Sequence, residues 1–126
     1  MTNNRSAYTQ PLNNKHLLST PLALNEKRQC LLVLLDELAA LMRVQGYWQF
    51  ERPSDQALAS QAPFAVDTLS FPQWLQFIFL DRFKEIILSQ QPLPTSMSIA
   101  PVACETLPSE LALFELLTQI DLLVSE

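Results

Sequence analysis

Residues 62–94 read APFAVDTLSFPQWLQFIFLDRFKEIILSQQPLP and predict one long helix between two marked ends. Ser70 and Gln73 have the spacing of a capping box, in which the hydroxyl accepts a backbone N–H and the amide side chain reaches back. Pro72 falls in the first turn, where its missing N–H is no loss. The sequence therefore predicts a helix that begins beside Ser70.

The far end of this stretch is a proline stop. Pro92 and Pro94 cannot continue a helix, so we expect it to end by about Gln90 or Gln91. Between the two ends, apolar side chains cover most of the circumference, which is typical of a helix at the centre of a bundle. They recur at helical spacing and are Trp74, Leu75, Phe77, Ile78, Phe79, Leu80, Phe83, Ile86, Ile87 and Leu88.

A second long helix precedes this stretch. It can open at Thr20–Pro21 or at Asn25–Glu26, since both pairs offer a cap. Gly46, the one glycine of the chain, stands where such a helix needs a residue at positive φ after its last turn. Its apolar stripe follows the i, i+3, i+4, i+7 pattern and consists of Leu31, Leu34, Leu35, Leu38, Leu41 and Met42.

A third long helix ends the chain, and shorter ones lie between. We expect the last helix to open at Thr106 or Leu107 with Pro108, and a short helix over Ala100–Thr106. Residues 53–59 predict one or two further helical turns, and the aromatic run 47–50 is interpreted as a plug of the core. The inner face of the last helix is expected to hold Leu111, Leu113, Phe114, Leu117, Ile120 and Val124.

The predicted fold is all-α: a small helical bundle of three long helices plus one or two short helices. Residues 1–20 are interpreted as a flexible, disordered tail and residues 21–126 as a single helical-bundle domain, since 126 residues suit one domain. No period-2 run of strand length occurs. The expected core is led by Leu34, Leu38, Trp74, Phe79, Phe83, Phe114 and Ile120.

Composition and charge narrow the classes of function. The net charge of −5 disfavours direct binding of nucleic acid or of an anionic membrane, because both want a cationic surface. The start of the sequence lacks a signal-peptide pattern, and no segment has the length and hydropathy of a membrane span. Cys30 and Cys104 are too few for a disulfide scaffold. We therefore expect a cytoplasmic protein with reduced thiols, Cys30 being a small packing residue and Cys104 the more exposed one.

Groupings typical of catalysis or of metal binding are missing from the sequence. The one histidine, His16, lies in the polar tail, so a Ser-His-Asp or Cys-His arrangement has no base. We accordingly predict no catalytic residues, no metal and no cofactor. Asp67 just before the central helix is expected to act in structure, as a cap or in an ion pair with Arg82 or Lys84.

A series of short motifs resembles the YqcC family of small bacterial cytosolic proteins. In order they are Pro63–Phe64, Asp67–Thr68, Trp74–Leu75–Gln76, Phe79 to Phe83, Gln91 to Pro94 and Ala100–Pro101, with Trp48 before them. The likeness spans about residues 25–124, and departs from the family at Phe71–Pro72 and at Cys104.

The resemblance implies a small helical bundle with no established enzymatic activity or cofactor. The gene of the family often neighbours that of a tRNA pseudouridine synthase, which implies an accessory role near tRNA modification. Because the acidic charge disfavours binding to tRNA itself, we expect the accessory role to involve a protein partner. The candidate partner is the tRNA pseudouridine synthase.

Three hypotheses of function remain open at this point. The first is a non-catalytic protein-interaction factor; the second is a bundle that encloses a small apolar ligand. The third, an enzyme, would need Asp67, Arg82 and Glu105 in one cleft. The first predicts a surface where residues 64–67, the QPLP stop and the Ala100–Glu105 segment converge. Its members are Phe64, Asp67, Thr68, Arg82, Gln91, Leu93, Pro94, Pro101 and Glu105.

Overall fold

The structure, a computed structural model, describes residues 24–126. This part is helical without a strand, which confirms the predicted all-α bundle of three long helices and short ones. The predicted tail, His16 and the helix opening at Thr20–Pro21 lie outside the described residues. Leu24, the first described residue, is already helical, and the alternative opening at Asn25–Glu26 lies inside α1.

Six α-helices, a 3₁₀ turn and a π-helical turn make up the described chain. They are α1 (Leu24–Val44), α2 (Asp55–Leu58), the 3₁₀ turn (Pro63–Ala65), α3 (Phe71–Trp74), the π turn (Leu75–Leu80), α4 (Asp81–Leu88), α5 (Ala100–Thr106) and α6 (Leu111–Ser125). The backbone stays in the right-handed helical region through both junctions of the π turn. We therefore treat α3, the π turn and α4 as one continuous unit, the central helix.

Helix α1 packs against both of the other long helices and runs antiparallel to them. Lys27 Nζ, at the start of α1, donates hydrogen bonds to the carbonyl oxygens of Val124 and Glu126 at the end of α6, at 3.1 and 3.2 Å. Arg28, one residue later, reaches the end of α4. One end of the bundle thus gathers the start of α1 and the ends of the other two long helices.

The core lies along α1 and takes apolar side chains from both neighbours. Of the predicted core, Leu38, Phe79, Phe83 and Ile120 are buried. The other three are half-buried and pack against the core from outside: Leu34, Trp74 and Phe114. The largest side chains with almost no exposed surface are Leu31, Leu35, Leu38, Met42, Leu75, Leu117, Ile120 and Val124, each worth about 1.5–3 kcal/mol when removed from water.

The start of α6 differs from the prediction. Residues 107–110 form a turn in which the Glu110 N–H donates to the Leu107 carbonyl at 3.0 Å, and α6 begins only at Leu111. Leu111 is 68% exposed rather than part of the inner face, whose first member is Leu113. The short helix predicted over Ala100–Thr106 is confirmed with Pro101 in its first turn.

Two helices end in the same hydrogen-bonded motif. After α1, the Tyr47 N–H donates to the Met42 carbonyl at 2.8 Å and the Gly46 N–H to the Arg43 carbonyl at 3.2 Å. Gly46 has φ +82°, as its position after the last turn predicted. This is the Schellman motif, which satisfies carbonyl groups that a helix end leaves free.

The same motif ends α4, but its left-handed residue is not a glycine. Gln90 takes φ +59° and donates to the Ile87 carbonyl at 3.2 Å, while the Gln91 N–H donates to the Ile86 carbonyl at 3.0 Å. This position confirms the predicted end of the central helix. A left-handed conformation is unfavourable for a residue with a Cβ, so this turn carries a strain that Gly46 avoids.

The π turn is the feature of the central helix that its periodicity did not predict. Buried apolar residues recur here at every fourth position, at Leu75, Phe79, Phe83 and Ile87. In a regular helix every fourth residue advances about 40° around the axis, so such a stripe would drift off the core. A π turn closes i to i+5 bonds and winds less per residue, which holds the stripe in place. It also brings Trp74 and Phe79 together, with ring centroids 5.7 Å apart.

The aromatic run after α1 is only partly a plug of the core. Tyr47 is half-buried and donates from its hydroxyl to Glu110 Oε2 at 2.8 Å, a hydrogen bond that raises the pKa of the phenol. Trp48 is half-buried beneath the Arg43 guanidinium, 4.3 Å from the ring centroid. Phe50 is 96% exposed, so the prediction that it folds into the core is wrong.

Candidate functional site

The predicted interaction surface is divided between opposite ends of the central helix. Residues 63–68 come before its first turn, whereas residues 91–94 follow its last. At 1.5 Å per residue, the helix over 71–88 holds these two segments about 27 Å apart. The structure therefore does not bring the QPLP stop to the segment that begins with Phe64.

Phe64 stands at the first of these ends in a strained backbone. Phe64 and Ala65 have φ +56° and +50°, a region that costs energy for residues with a Cβ. The Phe64 ring meets the edge of Trp74 with centroids 4.7 Å apart. Val102 and Thr106 of α5 face it across a small cavity of about 190 Å³. One predicted neighbour, the segment of α5, thus does reach the Phe64 end.

Asp67 and Thr68 tie this segment to α2. The Ser60 hydroxyl donates to Asp67 Oδ1 at 2.5 Å, and the Thr68 hydroxyl donates to the Ala57 carbonyl at 2.7 Å. The predicted ion pair of Asp67 with Arg82 or Lys84 is not formed. Lys84 pairs instead with Asp36 on α1, at 3.2 Å, because that face of α4 is turned toward α1.

The other predicted segment is held by a residue that the sequence did not single out. The Arg28 guanidinium donates to the Gln91 carbonyl at 2.7 Å and to the Ile86 and Ile87 carbonyls at 3.5 Å. These oxygens lie at the negative end of the helix dipole, where a cation is favoured. Arg28 is only 8% exposed. Leu93, beside it in this segment, packs against the core, and Pro94 is half-buried.

The grouping that an enzyme would need is not assembled. Asp67, Arg82 and Glu105 are all solvent-exposed. Arg82 lines a cleft with Asp81 and other residues, and neither Asp67 nor Glu105 lines it.

Two adjoining clefts lie on the solvent side of the central helix. They have volumes of about 240 and 320 Å³ and share Arg52, Phe77 and Asp81. The exposed ring of Phe50 stands at their margin. We call this region the Phe77 surface and define it by Trp48, Phe50, Arg52, Phe77, Asp81 and Arg82. Of these residues, the sequence had singled out only Arg82 for a surface.

Gln76 fixes the backbone of the Phe77 surface. Its side-chain amide donates to the Gln49 carbonyl at 2.7 Å, and its Oε1 accepts from the Gln49 N–H at 2.9 Å. Gln76 is 6% exposed, on the π turn. Because both hydrogen bonds go to the backbone of one residue, Gln49, they anchor the segment that carries Trp48 and Phe50 to the central helix.

A third cleft lies between α5 and α6 and has a volume of about 340 Å³. We call it the α5–α6 cleft and define it by Met97, Ala100, Pro101, Phe114, Asp121 and Leu122. Asp121, 8% exposed, accepts the backbone N–H groups of Ile99 and Ala100 at its Oδ2, both at 2.8 Å. It thereby caps the start of α5, and Pro101 of the predicted surface lines the same cleft. The sequence had not singled out Asp121.

The described residues offer little for metal or thiol chemistry. No group of His, Cys, Asp and Glu within residues 24–126 could hold a metal ion. Both cysteines are exposed. The interpretation of Cys30 as a packing residue is therefore wrong, because Leu31 and Leu35 take the inner face of α1 and leave Cys30 outside. Within the same residues, no helix combines the length and hydropathy that crossing a membrane requires.

The comparison with known families decides the relationship. A family model, DUF446, matches residues 30–123 and carries the description "tRNA pseudouridine synthase C". The chain belongs to the DUF446 family. The predicted resemblance to the YqcC family is confirmed by a relative named YqcC in Escherichia coli, 33% identical over 67 residues, which are 53% of this chain and 62% of that protein.

Two further comparisons show how much of the chain is similar to known proteins. An uncharacterised protein of Haemophilus influenzae is 33% identical over 86 residues, 68% of this chain and 81% of its own. The solution structure of Escherichia coli YqcC superposes with a TM-score of 0.72 at 26% identity and covers 79% of this chain and 89% of that one. The bundle is therefore a fold that this chain shares with the solved structure of Escherichia coli YqcC.

One further relative has a more informative length. A tRNA pseudouridine synthase C of Pectobacterium carotovorum is 33% identical over 72 residues. The match takes 57% of this chain but only 18% of the Pectobacterium protein. A segment similar to this chain is thus one part of a much longer polypeptide that bears the name of an enzyme.

Proposed function

We propose that this protein is a non-catalytic accessory factor that binds a tRNA pseudouridine synthase. One observation carries the proposal: a segment similar to this chain is part of a Pectobacterium protein named for that activity. Two units in one polypeptide meet at a high effective concentration. When the two units are separate proteins, this advantage is lost. They then associate to the same extent only if a surface of the accessory binds the synthase with sufficient affinity.

The charge of the chain supports contact with the enzyme rather than with its RNA. The net charge is −5, and a phosphate backbone repels an acidic surface. An enzyme that binds tRNA must itself present basic residues, so an acidic accessory is complementary to it. On this basis direct binding of nucleic acid is no part of the proposed function.

The Phe77 surface is the proposed place of contact. Protein interfaces are enriched in aromatic residues and Arg at their centre, and such residues carry most of the binding energy. Trp48, Phe50, Phe77 and two arginines share this region. Phe50 is 96% exposed, so burying its ring in a partner removes a full aromatic side chain from water.

The test is direct binding between the two purified proteins. Isothermal titration calorimetry or size-exclusion chromatography measures the affinity of this chain for a tRNA pseudouridine synthase from the same organism. Phe50→Ala is expected to weaken the complex about 30-fold, the effect of losing about 2 kcal/mol at an interface centre. Leu88→Ala is the matched control, because Leu88 is also exposed, at 69%, and lines neither cleft.

Two outcomes contradict the proposal at different levels. If the wild-type chain does not bind the synthase at micromolar concentration, the accessory role fails. If it binds and Phe50→Ala binds equally well, only the Phe77 surface fails. Asp67→Ala and Leu93→Ala then test the two separated halves of the surface that the sequence predicted.

The alternative of an enclosed apolar ligand has less support. The three clefts and the small cavity described above are lined by residues outside α1, the helix at the centre of the core. They lie at the surface rather than between the long helices. The α5–α6 cleft is the most apolar of them, but the carboxylate of Asp121 lines it, which does not suit an apolar ligand.

A further inference from the structure

The α5–α6 cleft has an apolar wall and one buried acid. Met97, Pro101, Phe114 and Leu122 supply the apolar surface around a space of about 340 Å³. Leu122 is 66% exposed although it is a large apolar residue on α6. The wall therefore presents surface that would gain from being covered.

The acid of the cleft has an unused oxygen. Asp121 Oδ2 accepts two backbone N–H groups, whereas its Oδ1 is buried and has no hydrogen-bond partner among the described residues. No Lys or Arg of the described residues forms a salt bridge with Asp121, and Lys84 pairs with Asp36 instead. A buried carboxylate oxygen without a donor is unfavourable, and a donor that enters the cleft would relieve it.

The α5–α6 cleft belongs to a part of the chain whose own charges are of one sign. The cation that reaches the end of α6 from elsewhere, Lys27 of α1, donates to the carbonyl oxygens of Val124 and Glu126. Residues 85–126 contain no Lys, Arg or His, so nothing in the last third of the chain can neutralise this region. Its acidic side chains are Glu85, Glu105, Glu110, Glu115, Asp121 and Glu126. The occupant that complements both the charge and the apolar wall is a cation on an aliphatic stem.

We propose that the α5–α6 cleft receives a lysine or arginine side chain from an apolar segment of the partner protein. The methylene stem lies against Pro101, Phe114 and Leu122, and an N–H group donates to Asp121 Oδ1. A charge-assisted hydrogen bond of this kind is stronger than one between neutral groups. The proposal rests on the proposed role as a protein-binding factor, and names the chemistry that its partner offers at a second surface.

The probe is a pair of short peptides added to the full chain. One is acetyl-Leu-Arg-Leu-Leu-amide, and the other has norleucine in place of arginine. With ¹⁵N-labelled protein, the arginine peptide is expected to shift the amide resonances of Ile99 and Ala100, whose N–H groups share the carboxylate of Asp121. We expect it to bind at least tenfold more tightly than the norleucine peptide.

A matched pair of variants tests the wall. Leu122→Ala is expected to weaken binding of the arginine peptide several-fold. Leu111→Ala is the control, because both leucines lie on α6 and are 66% and 68% exposed, but Leu111 does not line the cleft. Neither side chain is needed for the core, so both variants are expected to fold.

Asp121→Asn tests the acid itself. The change keeps the size of the side chain and one oxygen for the backbone of α5, and removes the charge. It should abolish the preference for arginine over norleucine. If this variant unfolds, the leucine pair still decides the matter.

The outcomes separate this proposal from the accessory role. Equal binding of the two peptides, or equal effects of the two leucine variants, overturns the proposal that the cleft selects a cation. If the synthase binds and Leu122→Ala leaves its affinity unchanged, the cleft is not the site on that partner and the accessory role stands. If the peptides discriminate and the synthase does not bind, the cleft stands and the accessory role falls.

Discussion

The two ends of the central helix are held in different ways. At its start, Ser70 and Gln73 cap each other across three residues, with hydrogen bonds of 2.8 and 3.3 Å. At its end, Arg28 donates to carbonyl groups 58 to 63 residues away in the chain. The first cap is formed by residues of the helix itself, whereas the second can form only after α1 has packed against the helix.

This contrast extends to the three buried polar side chains of the described residues. Arg28, Gln76 and Asp121 each bind the backbone of a segment that is distant in sequence. Each holds a non-helical piece or a helix end in place: the QPLP stop, the Phe50 segment and the start of α5. Long-range polar contacts, rather than local caps, therefore position the loops from which the proposed surfaces are built.

Replacing Arg28 should have the largest effect on stability. Arg28→Ala removes every hydrogen bond of the guanidinium and leaves the Gln91 carbonyl without its donor, whereas the Ile86 and Ile87 carbonyls keep the backbone N–H groups of the Schellman motif. Hydrogen bonds to charged groups contribute about 1.5–3 kcal/mol, so we expect a loss of about 3 kcal/mol in the free energy of unfolding. Urea denaturation followed by circular dichroism measures it.

Arg43→Ala provides the control for this change. Arg43 is an exposed arginine of the same helix, and its guanidinium lies over Trp48 rather than against a helix end. An exposed cation–π contact is worth about 0.5–1 kcal/mol, so the control should lose much less. Equal losses for the two variants would mean that the remote cap of α4 adds nothing to its local Schellman motif.

Replacing Gln76 should have the next largest effect. Gln76→Ala leaves the N–H and the carbonyl of Gln49 without their partner and opens space beneath the π turn. Two neutral hydrogen bonds at about 1 kcal/mol each give a loss of about 2 kcal/mol. Amide hydrogen exchange at Gln49 should increase more than exchange at the amides of the buried core.

The consequence for the surface separates Gln76 from a purely structural residue. If Gln76 positions the Phe77 surface, Gln76→Ala should also weaken binding of the synthase at a temperature where the chain is folded. Gln56→Ala, an exposed change on α2, is the control. Lost stability without lost affinity would show that the surface does not depend on this clamp.

Much of the fold could be predicted from local signals. The capping box at Ser70, the left-handed Gly46 and the helix over Ala100–Thr106 each follow from a few neighbouring residues, and all are confirmed. The features that the sequence did not predict have one cause in common. They depend on which segments meet after packing, and they are the exposure of Phe50, the burial of Asp121 and the division of the predicted surface. The four-residue spacing from Leu75 to Ile87 is a sequence signal that could have indicated the π turn. No sequence pattern indicates that Arg28 binds the end of α4.

Removing the local cap should cost less than removing either remote contact. Ser70→Ala loses the hydroxyl that accepts the Gln73 N–H, at 3.3 Å. Caps of this type contribute about 1 kcal/mol. Thermal unfolding should show the smaller loss, with Ser109→Ala, a change at an exposed serine in the turn before α6, as control. A loss as large as that of Arg28→Ala would reverse the ranking of the two ends.

The smallest effect should be a gain, at the strained residue that ends α4. Gln90 adopts φ +59° in the same motif in which Gly46 adopts +82°. Gln90→Gly removes the steric cost of a Cβ in the left-handed region and adds freedom to the unfolded chain, for a net stabilisation of about 0.5 kcal/mol.

Gly46→Ala is the reciprocal change. Because nothing lies within 4 Å of an added Cβ, its expected loss of about 1 kcal/mol comes from the backbone alone. Urea titration of both variants measures the pair. A loss of stability in Gln90→Gly would mean that Arg28, which holds the next carbonyl, already fixes this turn so firmly that the conformation of residue 90 costs nothing.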